Sequence, residues 1–222
     1  MASHADHIEA NKQHFNSTAH TYDDKPLAVQ LSRDAADAMR EVYDFKEEST
    51  VMLDYACGTG LISQNLAPDC KQIVGVDISE KMVEHYNARV ANQGIPPEEM
   101  RAVCTDLSGK GELEGLLFDV IVCAQAYHHI LSIEDVTKNL FSYLKPGGAL
   151  LVVDLVRGKH AADFHSQASE HVVAHRGGFI ESEIRAAFED AGLGQFEWGI
   201  AAEVRSQGRE LELFIAKGVK PI

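Results

Sequence analysis

The run Val51-Met-Leu-Asp-Tyr-Ala-Cys-Gly-Thr-Gly-Leu-Ile-Ser63 constrains this chain more than any other stretch. Val51 to Leu53 is apolar and partly β-branched, and an acid, Asp54, closes it. A loop of small residues follows, from Ala56 to Gly60, and then a helix-like run from Leu61 to Leu66 ahead of Pro68. Strand, glycine turn and helix form the entry to a doubly wound α/β sheet. Glycines let backbone approach a ligand with no Cβ in the way. The helix start offers unpaired N–H groups and a partial positive charge. The loop is therefore built to hold a ligand.

A dinucleotide site asks for the spacing G-x-G-x-x-G. Counting from Ala56 and Gly58, the third glycine would fall on Leu61; counting from Gly58 and Gly60, it falls on Ser63. An acid at the end of the first strand also lies outside that fingerprint.

About twenty residues on, a second strand, Gln72 to Asp77, again ends in an acid, where a ribose-binding carboxylate belongs. Such a group accepts from both vicinal hydroxyls of a ribose. Ser79 reads as the cap of a helix with Met82, Tyr86 and Val90 on one face, stopped by Gly94 and Pro96-Pro97. A third strand covers Met100 to Cys104, followed by Thr105-Asp106-Leu107. A fourth, Phe118 to Cys123, leads into Ala124-Gln-Ala-Tyr-His-His-Ile130. A helix from Glu134 to Leu144 turns Val136 and Leu140 inward, and Lys145-Pro-Gly-Gly148 breaks it before the strand Ala149 to Asp154.

In that order, Leu-Asp-x-Ala-Cys-Gly-Thr-Gly, Val-Gly-Val-Asp-Ile-Ser, Asp-Leu, Phe-Asp-Val-Ile and Leu-Lys-Pro-Gly-Gly resemble the class I S-adenosylmethionine-dependent methyltransferases, of the methyltransferase-domain 11/25 type. The likeness runs from about Phe15 to the C-terminus. It implies an α/β fold, doubly wound, whose mostly parallel seven-stranded sheet has its last strand antiparallel, with helices on both faces and an N-terminal helical lid. It implies S-adenosyl-L-methionine as cofactor and S-adenosyl-L-homocysteine as product. By resemblance, Asp54 and the backbone of Ala56, Gly58 and Gly60 hold the methionine part, and Asp77 takes the ribose hydroxyls. Ile78 and Met82 flank the adenine, Asp106 accepts from its amino group, and Leu107 lies beside the ring. Gln125 sits where the methyl emerges. Phe15-Asn-Ser-Thr-Ala-His-Thr-Tyr22-Asp resembles the lid, with Tyr22 closing over the methionine end. Ala56 stands where the family usually has glycine; the expectation is that the loop survives provided φ stays negative there.

The 222 residues suit a single methyltransferase domain: 1–45 as lid and helix, 50–154 as cofactor-binding core, 155–180 as a substrate-side insertion, 181–222 as helix and hairpin. A net charge of −14 argues against nucleic acid as partner, because no basic field would recruit it. Cys57, Cys70, Cys104 and Cys123 have no metal-type spacing and read as buried free thiols in a reducing compartment. No apolar run approaches the ~20 residues that span a membrane, and the polar start lacks a signal peptide's hydrophobic stretch. The expectation is a cytoplasmic, soluble monomer or homodimer.

Leu27, Leu31, Ala35, Met39 and Val42 recur at helical spacing, giving one amphipathic helix from Pro26 to about Phe45. A helix from Glu181 to Ala191 precedes two strands, Gln195 to Val204 and Glu210 to Ala216, around a turn at Ser206-Gln-Gly208. The long stretch after Asp154 falls over the carboxyl ends of the strands and is assigned to substrate. Within it His171 and His175 share a helix face, and Arg176 adjoins them. They are read as substrate contacts rather than metal ligands, since no H-E-x-x-H pattern is present.

Methyl transfer asks the protein to align donor and acceptor and exclude water, which supplies roughly 7–11 kcal/mol of the barrier. A hydroxyl acceptor also needs a base, commonly histidine. His128 and His129, directly after the fourth strand, are the candidates: one faces the cofactor and the other faces away. His4, His7, His14 and His20 are expected at the surface. The composition favours a small-molecule methyl acceptor, methylated on O, N or S. The alternatives are a protein or RNA acceptor, or a protein that binds the cofactor without transfer.

Overall fold

A computed structural model describes residues 4–107, 113, 115–158, 172–206 and 209–222. Helices α1 (His4–Thr18) and α2 (Pro26–Val42) precede β1 (Val51–Tyr55), α3 (Leu61–Leu66), β2 (Gln72–Asp77), α4 (Glu80–Asn92) and β3 (Met100–Cys104). Then come β4 (Phe118–Ala124), α5 (Ile133–Tyr143), β5 (Leu144–Leu155), α6 (Glu181–Asp190), β6 (Gly194–Ser206) and β7 (Arg209–Val219). The seven strands form one sheet in the order β3-β2-β1-β4-β5-β7-β6. All pairings among β1 to β5 are parallel, whereas β7 runs antiparallel to both β5 and β6.

The strands are apolar on both faces because helices cover both. Alternate residues point to opposite sides. Met52, Ile73, Val120, Val122, Leu151 and Val153 pack with Ala35 and Met39 of α2, Leu66 of α3 and Val83 and Val90 of α4. Leu53, Val74, Ile121, Leu150 and Val152 pack with Ile133 and Leu140 of α5 and with Ile184 and Phe188 of α6. The two layers make the sheet doubly wound, as the sequence implies.

From β1 the chain crosses to β2 on one side, and after β3 returns to β4 on the other. The carboxyl ends of β1 and β4 therefore diverge, opening the crevice where such sheets bind ligands. Among the described residues, no helix is long and apolar enough to cross a membrane.

Candidate functional site

The crevice holds a cavity of about 320 Å³ at the carboxyl ends of β1, β2 and β4, roofed by α1. Tyr22, Ala56, Gly58, Asp77, Ile78, Met82, Asp106, Gln125 and His129 all line it. The sequence placed these residues far apart; the parallel register brings their strand ends to one rim. Met52 and Leu53 pair with Ile73 and Val74 on one side and with Val120 and Ile121 on the other.

The glycine loop is held from β2. Cys57 donates its backbone N–H to the carbonyl of Val76 at 2.9 Å. Asp77 accepts the N–H of Gly58 at 2.9 Å through one oxygen and that of Ser79 at 2.8 Å through the other. A carboxylate has about four acceptor positions, so these N–H groups do not exhaust it. Burial raises the Asp77 carboxyl above its ordinary range, while the N–H groups of Ser79, Gly58 and Ile78 pull it back down. Ser79 caps α4, its hydroxyl accepting from the N–H of Met82 at 3.2 Å. At Gly60 the reason for glycine is twofold: φ is +85°, and a Cβ would lie 2.5 Å from the Tyr86 ring. At Gly58, φ is +53° and nothing lies within 4 Å of where a Cβ would project.

Ala56 departs from expectation. Its φ is +57°, not negative. An alanine in the left-handed region is unfavourable by roughly 1–2 kcal/mol, and the loop holds it there through the bonds on either side. Leu107 and Gln125 are also left-handed, with φ of +59° and +55°. All three sit at strand-end turns around the cavity, where backbone strain tends to collect. The Gln125 N–H is fixed on the carbonyl of Val153 at 2.7 Å.

Three residues assigned to the cofactor stand behind the lining rather than in it. Asp54 is buried at 1% exposure and accepts from the Ser63 hydroxyl at 2.6 Å. Burial pushes its carboxyl up to about 7, against the opposing pull of Ser63. Gly60 turns the loop into α3. Leu107 is buried, and its carbonyl accepts from the Asn139 amide at 2.8 Å.

The two successive histidines separate. His129 lines the cavity, and its Nδ1 donates to the carbonyl of Val172 at 2.7 Å. His128 is 1% exposed and lies behind that wall, its Nδ1 donating to Asp154 at 2.7 Å. Asp154 also accepts the backbone N–H of His128 at 3.1 Å and that of Leu155 at 2.6 Å. A ring so enclosed ties the end of β4 to β5 and, unlike His129, does not line the cavity. His175 and Arg176 do not line the cavity either; the His175 N–H instead donates to the carbonyl of His128 at 2.9 Å. His171 lies outside the described residues.

Helix α1 supplies wall residues that the sequence did not single out as site residues: His7, Ile8 and Asn11, beside Phe15. His7, expected at the surface, is 6% exposed, and its Nε2 donates to the carbonyl of His129 at 2.6 Å. The helix is tied to α4: Asn16 accepts from the Ser79 hydroxyl at 2.7 Å, and Lys12 pairs with Glu80 at 2.6 Å. The segment after α1 is tied to the glycine loop. Thr59 donates to Asp23 at 2.6 Å, and Arg89 pairs with the same carboxylate. Tyr22 stands close enough to Asp77 and Asp23 that their charges add to burial in raising its phenol. Cys57, Cys70 and Cys123 are buried free thiols, as expected, but Cys104 is exposed.

Residues 52–148 match the sequence model of a methyltransferase domain family. The chain is 42% identical over 169 residues to an uncharacterized methyltransferase of Schizosaccharomyces pombe, a match covering 72% of this chain and 60% of that protein. Thus the chain spans about three fifths of that curated relative's length. Among solved structures, magnesium protoporphyrin IX methyltransferase from Synechocystis PCC 6803, with S-adenosyl-L-homocysteine bound, superposes with a TM-score of 0.70 at 17% identity, over 96% of this chain and 99% of that one. The N-methyltransferase NodS from Bradyrhizobium japonicum WM9, also holding that product, gives 0.68 at 18% identity, over 96% and 99%. The matched core and the relative mark residues 52–148 as a methyltransferase domain, and the chain shares the fold of the two methyltransferases that hold S-adenosyl-L-homocysteine.

Proposed function

We propose that this protein transfers a methyl group from S-adenosyl-L-methionine to an O, N or S atom of a small molecule. The observation that carries the reading is the pairing of a glycine-loop cradle with His129 in one cavity. The cradle fits the cofactor. Gly58 leaves open space where a side chain would stand, Asp77 turns a carboxylate to the lining, and Ile78 and Met82 offer apolar surface. In this reading Asp77 accepts the ribose hydroxyls, Asp106 accepts from the adenine amino group, and Tyr22 covers the methionine end. Asp54 and Gly60 act from behind, by shaping the loop.

When bound, the cofactor supplies a methyl group on a positively charged sulfur. This chain's residues align the acceptor and manage its proton. The bond between His129 Nδ1–H and the Val172 carbonyl leaves the Nε2 lone pair as the ring's basic position in the neutral imidazole. With a hydroxyl acceptor, Nε2 of His129 would take up the hydroxyl proton as the acceptor oxygen gains the methyl group. Phe15 braces the ring edge-on, with centroids 5.2 Å apart. The aspartates Asp77, Asp106 and Asp135 line the cavity, and no Lys or Arg does among the described residues. That charge favours neutral or cationic small acceptors over polyanions.

Radiolabelled methyl transfer into a metabolite extract, a protein extract and an RNA extract tests the reading. Label in small molecules is expected; label in polymer alone, or in nothing, overturns it.

A further inference from the structure

Thr59 stands between the two left-handed glycines of the loop, Gly58 and Gly60, and is buried. Its hydroxyl donates to one oxygen of Asp23 at 2.6 Å, and its carbonyl accepts from Arg89 of α4 at 3.0 Å. Arg89 also pairs with the other oxygen of the Asp23 carboxylate. One carboxylate, one guanidinium and one threonine thus close a ring of contacts on the glycine loop. The Arg89 and Asp23 side chains are 24% and 31% exposed, so their pair is partly shielded from water, which weakens pairs at the open surface.

Asp23 belongs to the segment after α1, and its neighbour Tyr22 lines the cavity. A turn sets the two side chains apart: Tyr22 donates its N–H to the Ala19 carbonyl, and its own carbonyl accepts from the Lys25 N–H, both at 3.3 Å. Tyr22 lies near enough to Asp77 to feel its charge, while Asp23 meets Thr59 and Arg89. The Lys25 ammonium stands over the Tyr22 ring, 5.1 Å from its centroid, and adds a second hold. Two carboxylates therefore grip the loop: Asp77 through the Gly58 N–H, and Asp23 through the Thr59 hydroxyl. The first grip comes from the sheet, the second from the segment that carries Tyr22. Asp23 itself does not line the cavity, so its effect on a ligand passes through its neighbours.

Resting on the reading that Tyr22 covers the methionine end of the cofactor, we infer that Asp23 is a positioning residue for that cover: its carboxylate, received by Thr59 and Arg89, keeps Tyr22 over the bound cofactor and so sets how tightly the cofactor is retained. A cover closed only part of the time lowers apparent affinity by the closed fraction. Without the Asp23 carboxylate, the buried Thr59 hydroxyl loses its acceptor and Arg89 its partner charge. The tie from the Tyr22 segment to the loop is then gone, and the cover opens.

The test is titration calorimetry of S-adenosyl-L-homocysteine into the full chain and into Asp23→Ala, Tyr22→Ala and the double variant. Each single change should weaken affinity by about tenfold, as for a cover closed about a tenth of the time. The double variant should be no more than about twofold weaker than Tyr22→Ala, because the carboxylate acts through the ring it holds. Asp23→Asn keeps an acceptor for Thr59 and should fall between wild type and Asp23→Ala; it takes the place of Asp23→Ala in the cycle if that variant fails to fold. Unchanged affinity in Asp23→Ala, with a lowered melting temperature, makes the ring of contacts a fastening of the fold alone and overturns the inference. So does a loss that adds in full to that of Tyr22→Ala, since the carboxylate would then act through the loop rather than the cover. Unchanged affinity in Tyr22→Ala removes the cover and the inference with it, while Asp77→Ala still tests the cradle. A wild type that binds no product overturns the cofactor reading itself, and the role of Asp23 falls with it.

Discussion

The imidazole of His129 donates from Nδ1 to the backbone carbonyl of Val172 at 2.7 Å. Val172 follows the long stretch after β5 in the sequence, so a residue from beyond β5 sets the tautomer of a residue just after β4. The same segment is stitched to the neighbouring histidine through the bond from His175 N–H to the His128 carbonyl.

If His129 is the base, its neutral form is the active one. kcat/KM for a hydroxyl acceptor should fall as pH is lowered and an imidazole takes up its proton. His129→Gln should lower turnover by about 10²–10⁴-fold, the range of general-base catalysis, lose that acid limb and keep affinity for S-adenosyl-L-homocysteine. His128→Gln should act differently, lowering the melting temperature by loosening the Asp154 fastening. A pH–rate profile in which His129→Gln retains the wild-type limb would remove His129 from proton transfer.

Ala56 sits at φ +57° with a Cβ that glycine lacks. Ala56→Gly relieves roughly 1–2 kcal/mol of left-handed strain and loses about 0.5–1 kcal/mol to the glycine's freedom in the unfolded chain. The net expectation is a gain of up to about 1.5 kcal/mol in urea unfolding, with product affinity equal or higher. Destabilisation by Ala56→Gly would show that the left-handed loop is not strained.

Asp54 is a buried acid raised to about 7 from 3.8, chiefly by desolvation. The folded state therefore holds its proton more tightly than the unfolded chain. Between about pH 4 and about pH 7 the unfolded chain has released that proton and the folded one has not, so this group's contribution to stability falls as pH rises through that window. Above it the full penalty remains. Asp54→Asn keeps an acceptor for the Ser63 hydroxyl and removes the titration. Its stability should exceed wild type at pH 8, and the difference should shrink toward pH 4. A constant difference across that range in thermal melts would contradict the assignment.

The core of the fold was legible because its signals are local. The apolar strands, the left-handed glycines and the serine at Ser79 each announce their element in a few residues. The acid at Asp77 follows from spacing once the strands are drawn, and Asp106 follows from the family resemblance. Helix α1 gave no such signal as a cavity wall. Its buried positions are His7 and Asn11, polar residues that a hydrophobic period does not detect. They are inside because the carbonyl of His129, 122 residues away, meets His7 there. The choice between His128 and His129 was likewise beyond local reading. It depends on Asp154, at the end of a different strand, capturing one ring. Ala56 was misread because alanine normally keeps φ negative, and only the closed loop shows that it does not.

Asp77 most directly tests the central claim, that the strand-end cradle binds the adenosyl cofactor. Titration calorimetry of S-adenosyl-L-homocysteine into the wild-type chain and into Asp77→Ala is the measurement. The wild type should bind one equivalent, and Asp77→Ala should lose about 1.5–3 kcal/mol, the scale of hydrogen bonds to a charged group. No heat and no thermal shift with the wild type, or equal affinity in the two proteins, would contradict it.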